Sequence, residues 1–139
     1  EEAAEHYTSL FPDSRVDSVA RTPDGTALVV EFTLLGQPYR AMNGGPGHPH
    51  TDAVSFQVDV DTQEELDRVW DALLADGGKP VACGWLVDRW GLSWQVTPSM
   101  MGDLMTGNGD PEANARVFAA MRDMVKLDIP ALQAAAAGR

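Results

Sequence analysis

Slid along itself, the chain shows a weak internal repeat, which constrains the fold more tightly than any single motif in it. A shift of 63 residues sets Tyr7 on Trp70, Leu10 on Leu73, Phe11 on Leu74 and Asp13 on Asp76. A shift of 55 sets Gly36 on Gly91 and Tyr39 on Trp94. Few residues are identical, but the order of predicted elements agrees. In the first copy, Ala3, Tyr7, Leu10 and Phe11 have the spacing of an amphipathic helix, and Pro12-Asp13 stops it. Strands are expected over Arg15–Arg21, Ala27–Leu35 and Pro38–Met42, separated by Pro23-Asp24-Gly25 and Gly36-Gln37 turns. The second copy begins with an alternating strand over Ala53–Val60. Asp61 or Thr62 can then cap a helix whose buried stripe is Leu66, Val69, Trp70, Leu73 and Leu74, ended by Gly77-Gly78. Short strands over Pro80–Cys83, Trp85–Asp88 and Leu92–Thr97 complete it.

Two βαβββ modules account for residues 1–98, and the first is expected to have an opening strand ahead of the helix in which the sequence starts. Beyond them, Asp110-Pro111-Glu112 opens a further helix with an apolar face of Val117, Phe118, Met121, Met124 and Val125, closed near Asp128-Ile129-Pro130. Ala131–Ala137 adds a turn or two. The expectation is one α+β domain over residues 1–139, with module one at 1–45, module two at 53–98 and a helical tail at 110–137 packed on the sheet or on a partner subunit.

Charge narrows the function classes. Ten Lys plus Arg against 21 Asp plus Glu leave a formal net charge of −11, which repels nucleic acid and anionic membrane surfaces. No apolar run approaches the roughly 20 residues that span a bilayer. With a single cysteine, Cys83, and no basic start followed by an apolar stretch, the expected location is the cytoplasm. Cys83 reads as a buried thiol, because free cysteine is most often core and no histidine lies nearby in sequence.

Strand alternation nominates the polar candidates. Ser55 and Gln57 share one face of their strand with Ala53, while Val54, Phe56 and Val58 take the other; Ser93, Gln95 and Thr97 oppose Trp94 and Val96 in the same way. Trp85 and Trp90 offer aromatic surface nearby, Asn43 ends a strand with a donor, and Arg40 could clamp an acidic oxygen bidentately. His48, His50 and Asp52 alternate as metal ligands do, yet Pro49 between them and the want of a fourth ligand argue against a metal. Asn43-Gly44-Gly45-Pro46-Gly47 lacks the ending of a phosphate-binding loop, and no helix is expected behind it.

Several of these segments occur together in a known order. Asn43-Gly44-Gly45-Pro46, Ala53-Val54-Ser55-Phe56, Gln63-Glu64-Glu65-Leu66-Asp67 with Trp70, Cys83-Gly84-Trp85-Leu86-Val87-Asp88 and Gly91-Leu92-Ser93-Trp94-Gln95-Val96-Thr97-Pro98 resemble the PhnB-like branch of the vicinal oxygen chelate superfamily. These are the glyoxalase, bleomycin-resistance and dioxygenase-like proteins, and the branch is often labelled 3-demethylubiquinone-9 3-methyltransferase. Met121, Met124, Lys126 and Asp128-Ile129 are similar to its C-terminal pattern. The resemblance implies paired βαβββ modules forming a curved mixed sheet around a cavity, in a homodimer whose modules can be exchanged. It also implies, for catalytic members, a divalent metal held by His, Gln and Glu on the first and last strands of each module.

Gln95 falls where the resemblance places a Glu ligand, and Ala53 where it places a His. By the 55-residue shift Arg40 corresponds to Gln95, and an arginine cannot ligate a metal. No complete metal set is therefore expected. The favoured reading is a cavity that binds a small organic molecule through Gln95, Ser55, Gln57, Ser93, Thr97, Arg40, Asn43 and Trp85. Metal-dependent lyase, isomerase or dioxygenase chemistry is the first alternative. Methyl transfer, as the branch's label has it, is the second and is disfavoured by the lack of a glycine-rich loop after a strand.

Overall fold

The apolar spacing at the start of the chain forms helix α1 (Glu2–Leu10) in a computed structural model that describes residues 1–139, the surroundings of Gly107 excepted. The chain forms two compact units, Glu1–Pro49 and His50–Arg139. In the first, α1 buries Ala4 and Tyr7, joined by Phe11, where it packs on β1 and β2. The sheet is antiparallel in the order β1 (Arg15–Arg21), β2 (Ala27–Leu34), β3 (Gln37–Met42). Its apolar contribution comes from Val30, Phe32 and Leu34 of β2. Strand β2 ends one residue earlier than its apolar run suggests. Leu35 (φ +50°) and Gly36 (φ +76°) both take the left-handed conformation that a two-residue hairpin turn of the right twist requires.

The second unit carries the full strand, helix, strand, strand, strand order. Strand β4 is Ser55–Val60, shorter than the Ala53–Val60 expected. Its ladder begins at Ser55 opposite Ser93, while Ala53 and Val54 lie in the turn before it. Val54 is 66% exposed and so does not point to the helix side. Helix α2 (Gln63–Leu74) is capped by Thr62, whose hydroxyl accepts from the Glu65 amide at 3.1 Å, and the Glu65 carboxylate accepts in return from the Asp61 amide. Its buried side chains, Leu66, Val69, Trp70 and Leu73, cover the face formed by Val58, Val60, Leu86, Trp94 and Val96. Burial on this scale stabilises by roughly 1.5–3 kcal/mol per large apolar side chain.

The sheet order is β4, β7 (Ser93–Pro98), β6 (Trp85–Val87), β5 (Lys79–Pro80), with β4 parallel to β7 and the other pairs antiparallel. The strand expected over Pro80–Cys83 is therefore reduced to two residues. The amides of Cys83 and Gly84 donate to the carbonyls of Met124 and Val125, at 2.8 Å each, so the end of this stretch is held by the tail, while the Val81 amide donates to the Trp85 carbonyl and the Gly84 carbonyl accepts from the Val96 amide, at 2.9 Å each. Asp88, buried, fixes the β6–β7 turn by accepting from the Trp90 and Leu92 amides and from the Trp94 indole at 2.8 Å.

The tail is α3 (Met101–Thr106), a 3₁₀ turn at Gly107–Gly109, α4 (Pro111–Arg122) and α5 (Ile129–Ala136). Asp110 and Asp128 cap α4 and α5 as their sequence predicts. The continuous apolar face expected from Val117 to Val125 is broken. Helix α4 ends at Arg122 because the carbonyls of Met124 and Val125 are drawn to the 83–84 turn, leaving Val117 buried but Phe118 and Val125 nearly half exposed. Among the described residues no helix is long and apolar enough to cross a membrane.

Candidate functional site

The registers of the four-stranded sheet assemble the polar candidates into rows. Gln57 lies beside Gln95, which lies beside Trp85; Asp59 lies beside Thr97, and Ser55 beside Ser93. Because alternate residues face one way, these rows form the face of the sheet turned away from α2. A cavity of about 490 Å³ opens on it, within the range of small-molecule pockets. Its floor is Gln57, Asp59, Trp85, Gln95 and Thr97, continued by Pro98 and Ser99. Its wall is sulfur-rich and apolar: Cys83, Met101, Met105, Met121 and Leu127, with Gly102 between the first two methionines of α3.

The tail holds that wall in place through α2. Gln63 donates to Asp67 and to the Leu127 carbonyl, and accepts from the Ile129 amide at 2.8 Å. Lys126 reaches Asp67 at 2.7 Å. The Lys126 ammonium, hydrogen-bonded to Asp67, holds that carboxyl below its usual range, while Asp67 raises Lys126. Gly84 is required where the chain passes under Leu127. At φ +83° a Cβ would stand 2.9 Å from a Leu127 methyl and 3.0 Å from the Val96 carbonyl.

Hydrogen bonds on the floor orient both amides. Gln95 Nε2 donates to Ser55 Oγ at 2.9 Å, and Gln57 Nε2 donates to Asp59 Oδ1 at 2.9 Å. The Oε1 atoms of Gln57 and Gln95 and the second oxygen of Asp59 accept nothing among the described residues. The floor thus presents free acceptors. Ser99 donates to Asp61 at 2.6 Å, which adds a second carboxylate at the cavity's edge.

Of the residues nominated by sequence, Gln57, Trp85, Gln95 and Thr97 line the cavity. Ser55 touches it only through Gln95, and Ser93 is buried beyond its end. Trp90 lies outside the lining, with the Arg89 guanidinium stacked 4.2 Å above its ring. Arg40 and Asn43 belong to the first unit. Arg40 is paired with Glu31 through Nε and Nη2, at 3.1 and 2.6 Å, and Asn43 donates to the Ala27 carbonyl at 2.8 Å, closing a strand end. Cys83, expected to be buried, is half-buried with positive φ (+53°) and faces the cavity. Asp59 was legible from the same alternation as Ser55 and Gln57. The methionine wall carried no such signal, because methionine at helical spacing reads as core.

A divalent metal does not fit this donor set. One carboxylate, two amides and hydroxyls make a weak site for a hard cation. Among the described residues no three His, Cys, Asp or Glu side chains converge, and His48, His50 and Asp52 are all exposed. The Gly44–Gly47 stretch is followed by a turn and β4, not by a helix N-terminus that could receive a phosphate.

The family model described as 3-demethylubiquinone-9 3-methyltransferase matches residues 1–97. Among solved structures the chain is similar to a putative 3-demethylubiquinone-9 3-methyltransferase, the PhnB protein from Bacillus cereus. Identity is 33%, the match covers 70% of this chain and 89% of that one, and the TM-score is 0.66. Protein PA1353 from Pseudomonas aeruginosa shares the fold at 20% identity, over 70% of this chain and 87% of that one, with a TM-score of 0.54. No curated protein matches. The C-terminal resemblance around Met121–Ile129 lies outside the matched residues, so the methionine wall belongs to a part of the chain that the family model does not describe.

Proposed function

This chain belongs to the 3-demethylubiquinone-9 3-methyltransferase family in its PhnB-like form, and from that premise we propose that its second unit binds a small organic molecule in the cavity between the β4–β7–β6 face and the tail. One observation carries the reading. A row of oriented polar groups, Gln57 and Gln95 with Trp85 beside them, faces a wall of thioethers and a leucine. Ligand pockets have this make-up: mostly apolar enclosure and a few placed hydrogen-bonding groups that set orientation. Methionine side chains adapt to an irregular ligand surface, and the Trp85 ring supplies a flat one.

The reading assigns binding and orientation to these residues and no bond-making step. Gln95 is hydrogen-bonded to Ser55 and Gln57 to Asp59, which orients their carbonyl oxygens and lowers the side-chain ordering that binding would cost. The test is a screen of small aromatic and aliphatic metabolite-like compounds by intrinsic tryptophan fluorescence and thermal melting. At least one compound is expected to quench emission and raise the melting temperature, with quenching lost in Trp85→Phe and kept in Trp90→Phe. No response from any compound, or responses indifferent to Trp85→Phe and Gln95→Ala, would overturn the reading.

A further inference from the structure

The chemistry of the cavity floor selects the charge of its occupant. Among the described residues Asp59 is the one charged side chain in the lining, Asp61 is joined to the lining through Ser99, and no Lys or Arg is with them. The two amides are turned so that each Nε2 is hydrogen-bonded within the floor, leaving Gln57 Oε1, Gln95 Oε1 and one Asp59 oxygen as acceptors without donors among the described residues. An acceptor-rich floor with a net negative charge matches a ligand that brings N–H donors and a positive charge. It repels a carboxylate or phosphate. Trp85, which lines the cavity beside Gln95, favours a cation as well wherever its ring meets the ligand, since an aromatic ring attracts positive charge over its face. The whole chain, at −11, acts in the same direction over longer range.

We infer that the cavity takes a protonated organic amine, its ammonium on Asp59 and the two glutamine carbonyls, its hydrocarbon part against Trp85 and the methionines of the tail. This rests on the small-molecule reading above and adds the ligand's class to it. The contrast with the first unit supports it. There the residue equivalent to Gln95 is a cation, Arg40, already neutralised by Glu31.

The experiment compares three probes of one skeleton by calorimetry on the full chain: 2-(1-naphthyl)ethylamine, 2-(1-naphthyl)ethanol and 1-naphthaleneacetate. The amine is expected to bind about tenfold more tightly than the alcohol, as a charge-assisted hydrogen bond warrants, and the acetate most weakly. Asp59→Asn should bring the amine to the affinity of the alcohol measured on the same variant. Asn keeps an acceptor for Gln57, and an unaltered melting temperature shows that the fold is kept. Without any variant, raising the salt concentration should narrow the amine's advantage. An alcohol that binds as tightly as the amine, or an acetate that binds more tightly, would overturn the inference and leave the pocket standing. An amine preference that survives Asp59→Asn would overturn the role given to Asp59. If none of the three binds while a neutral compound in the wider screen does, the charge selection fails alone; if nothing binds at all, both readings fail.

Discussion

Strands β3 and β7 are counterparts in the repeat, yet they line different hollows: β7 the cavity of about 490 Å³ walled by the tail, β3 a smaller one of about 350 Å³ lined by Asp17, Glu31, Phe32, Pro38, Tyr39 and Arg40. Tyr39 and Arg40 on β3 correspond to Trp94 and Gln95 on β7. Trp94 is fully buried with its indole donating to Asp88, whereas Tyr39 is half-buried and stacks on Phe32 at 5.5 Å between ring centres. Arg40 is mostly exposed and closed by an ion pair; Gln95 is neutral, oriented by Ser55 and open to a cavity. Two additions make the difference. The second unit has a parallel strand, β4, that sets a second polar column beside β7, and a helical tail that supplies an apolar wall facing it. The larger cavity of the second unit comes from what flanks its last strand, not from that strand alone.

That comparison can be broken at its anchors. Trp94→Ala should cost about 3–5 kcal/mol in urea unfolding, because it leaves a large cavity and strips a donor from buried Asp88. Tyr39→Ala should cost less than half as much; equal losses would mean the two counterparts are anchored alike. Gly84→Ala should cost about 2–3 kcal/mol, through left-handed strain and the close approach to Leu127 and Val96, and should loosen the tail as read by hydrogen exchange at the Cys83 and Gly84 amides. Gly36→Ala in the first unit has the same sign of φ but open space around it, so about 1 kcal/mol is expected.

The tail's tether predicts a weaker, pH-dependent effect. Asp67 is depressed by Lys126, so the stability it contributes is present above the ordinary aspartate value and is lost as pH falls below it through the lowered folded-state value. Both partners are more than a third exposed, so the contribution after solvent screening is a few tenths of a kcal/mol. Unfolding of Asp67→Asn should differ from the parent by that amount at neutral pH and converge with it in acid. Smallest of all, Arg40→Ala should change stability by under about 0.5 kcal/mol and leave ligand affinity in the second unit unaltered.

Much of this architecture was legible because it is local. The helix stripe Leu66, Val69, Trp70 and Leu73, the Thr62 cap and the alternation of Ser93, Gln95 and Thr97 are written within a few residues, and the structure keeps them, although Leu74, expected in the stripe, is only half-buried. Long-range demands decided the rest. The Pro80–Cys83 segment reads as strand by composition, but at its end the amides of Cys83 and Gly84 pair with carbonyls some 40 residues later in the chain, at Met124 and Val125. Those same bonds end α4 early and expose Phe118. Ala53 and Val54 continue an alternating pattern, yet β7 offers them no partner. Helix α3 holds Gly102 and only six residues, so nothing in its sequence announced that Met101 and Met105 would face Gln95 across a cavity.

The most direct measurement follows the methionine methyl groups of ¹³C-methyl-labelled protein by NMR while compounds that shift the melting temperature are added. The six methionines include Met42 in the first unit and Met101, Met105 and Met121 in the cavity wall of the second. Binding in the second unit predicts that the three wall methyls move with saturating ligand while Met42 stays fixed. A ligand that moves Met42 and leaves those three unmoved would contradict the account.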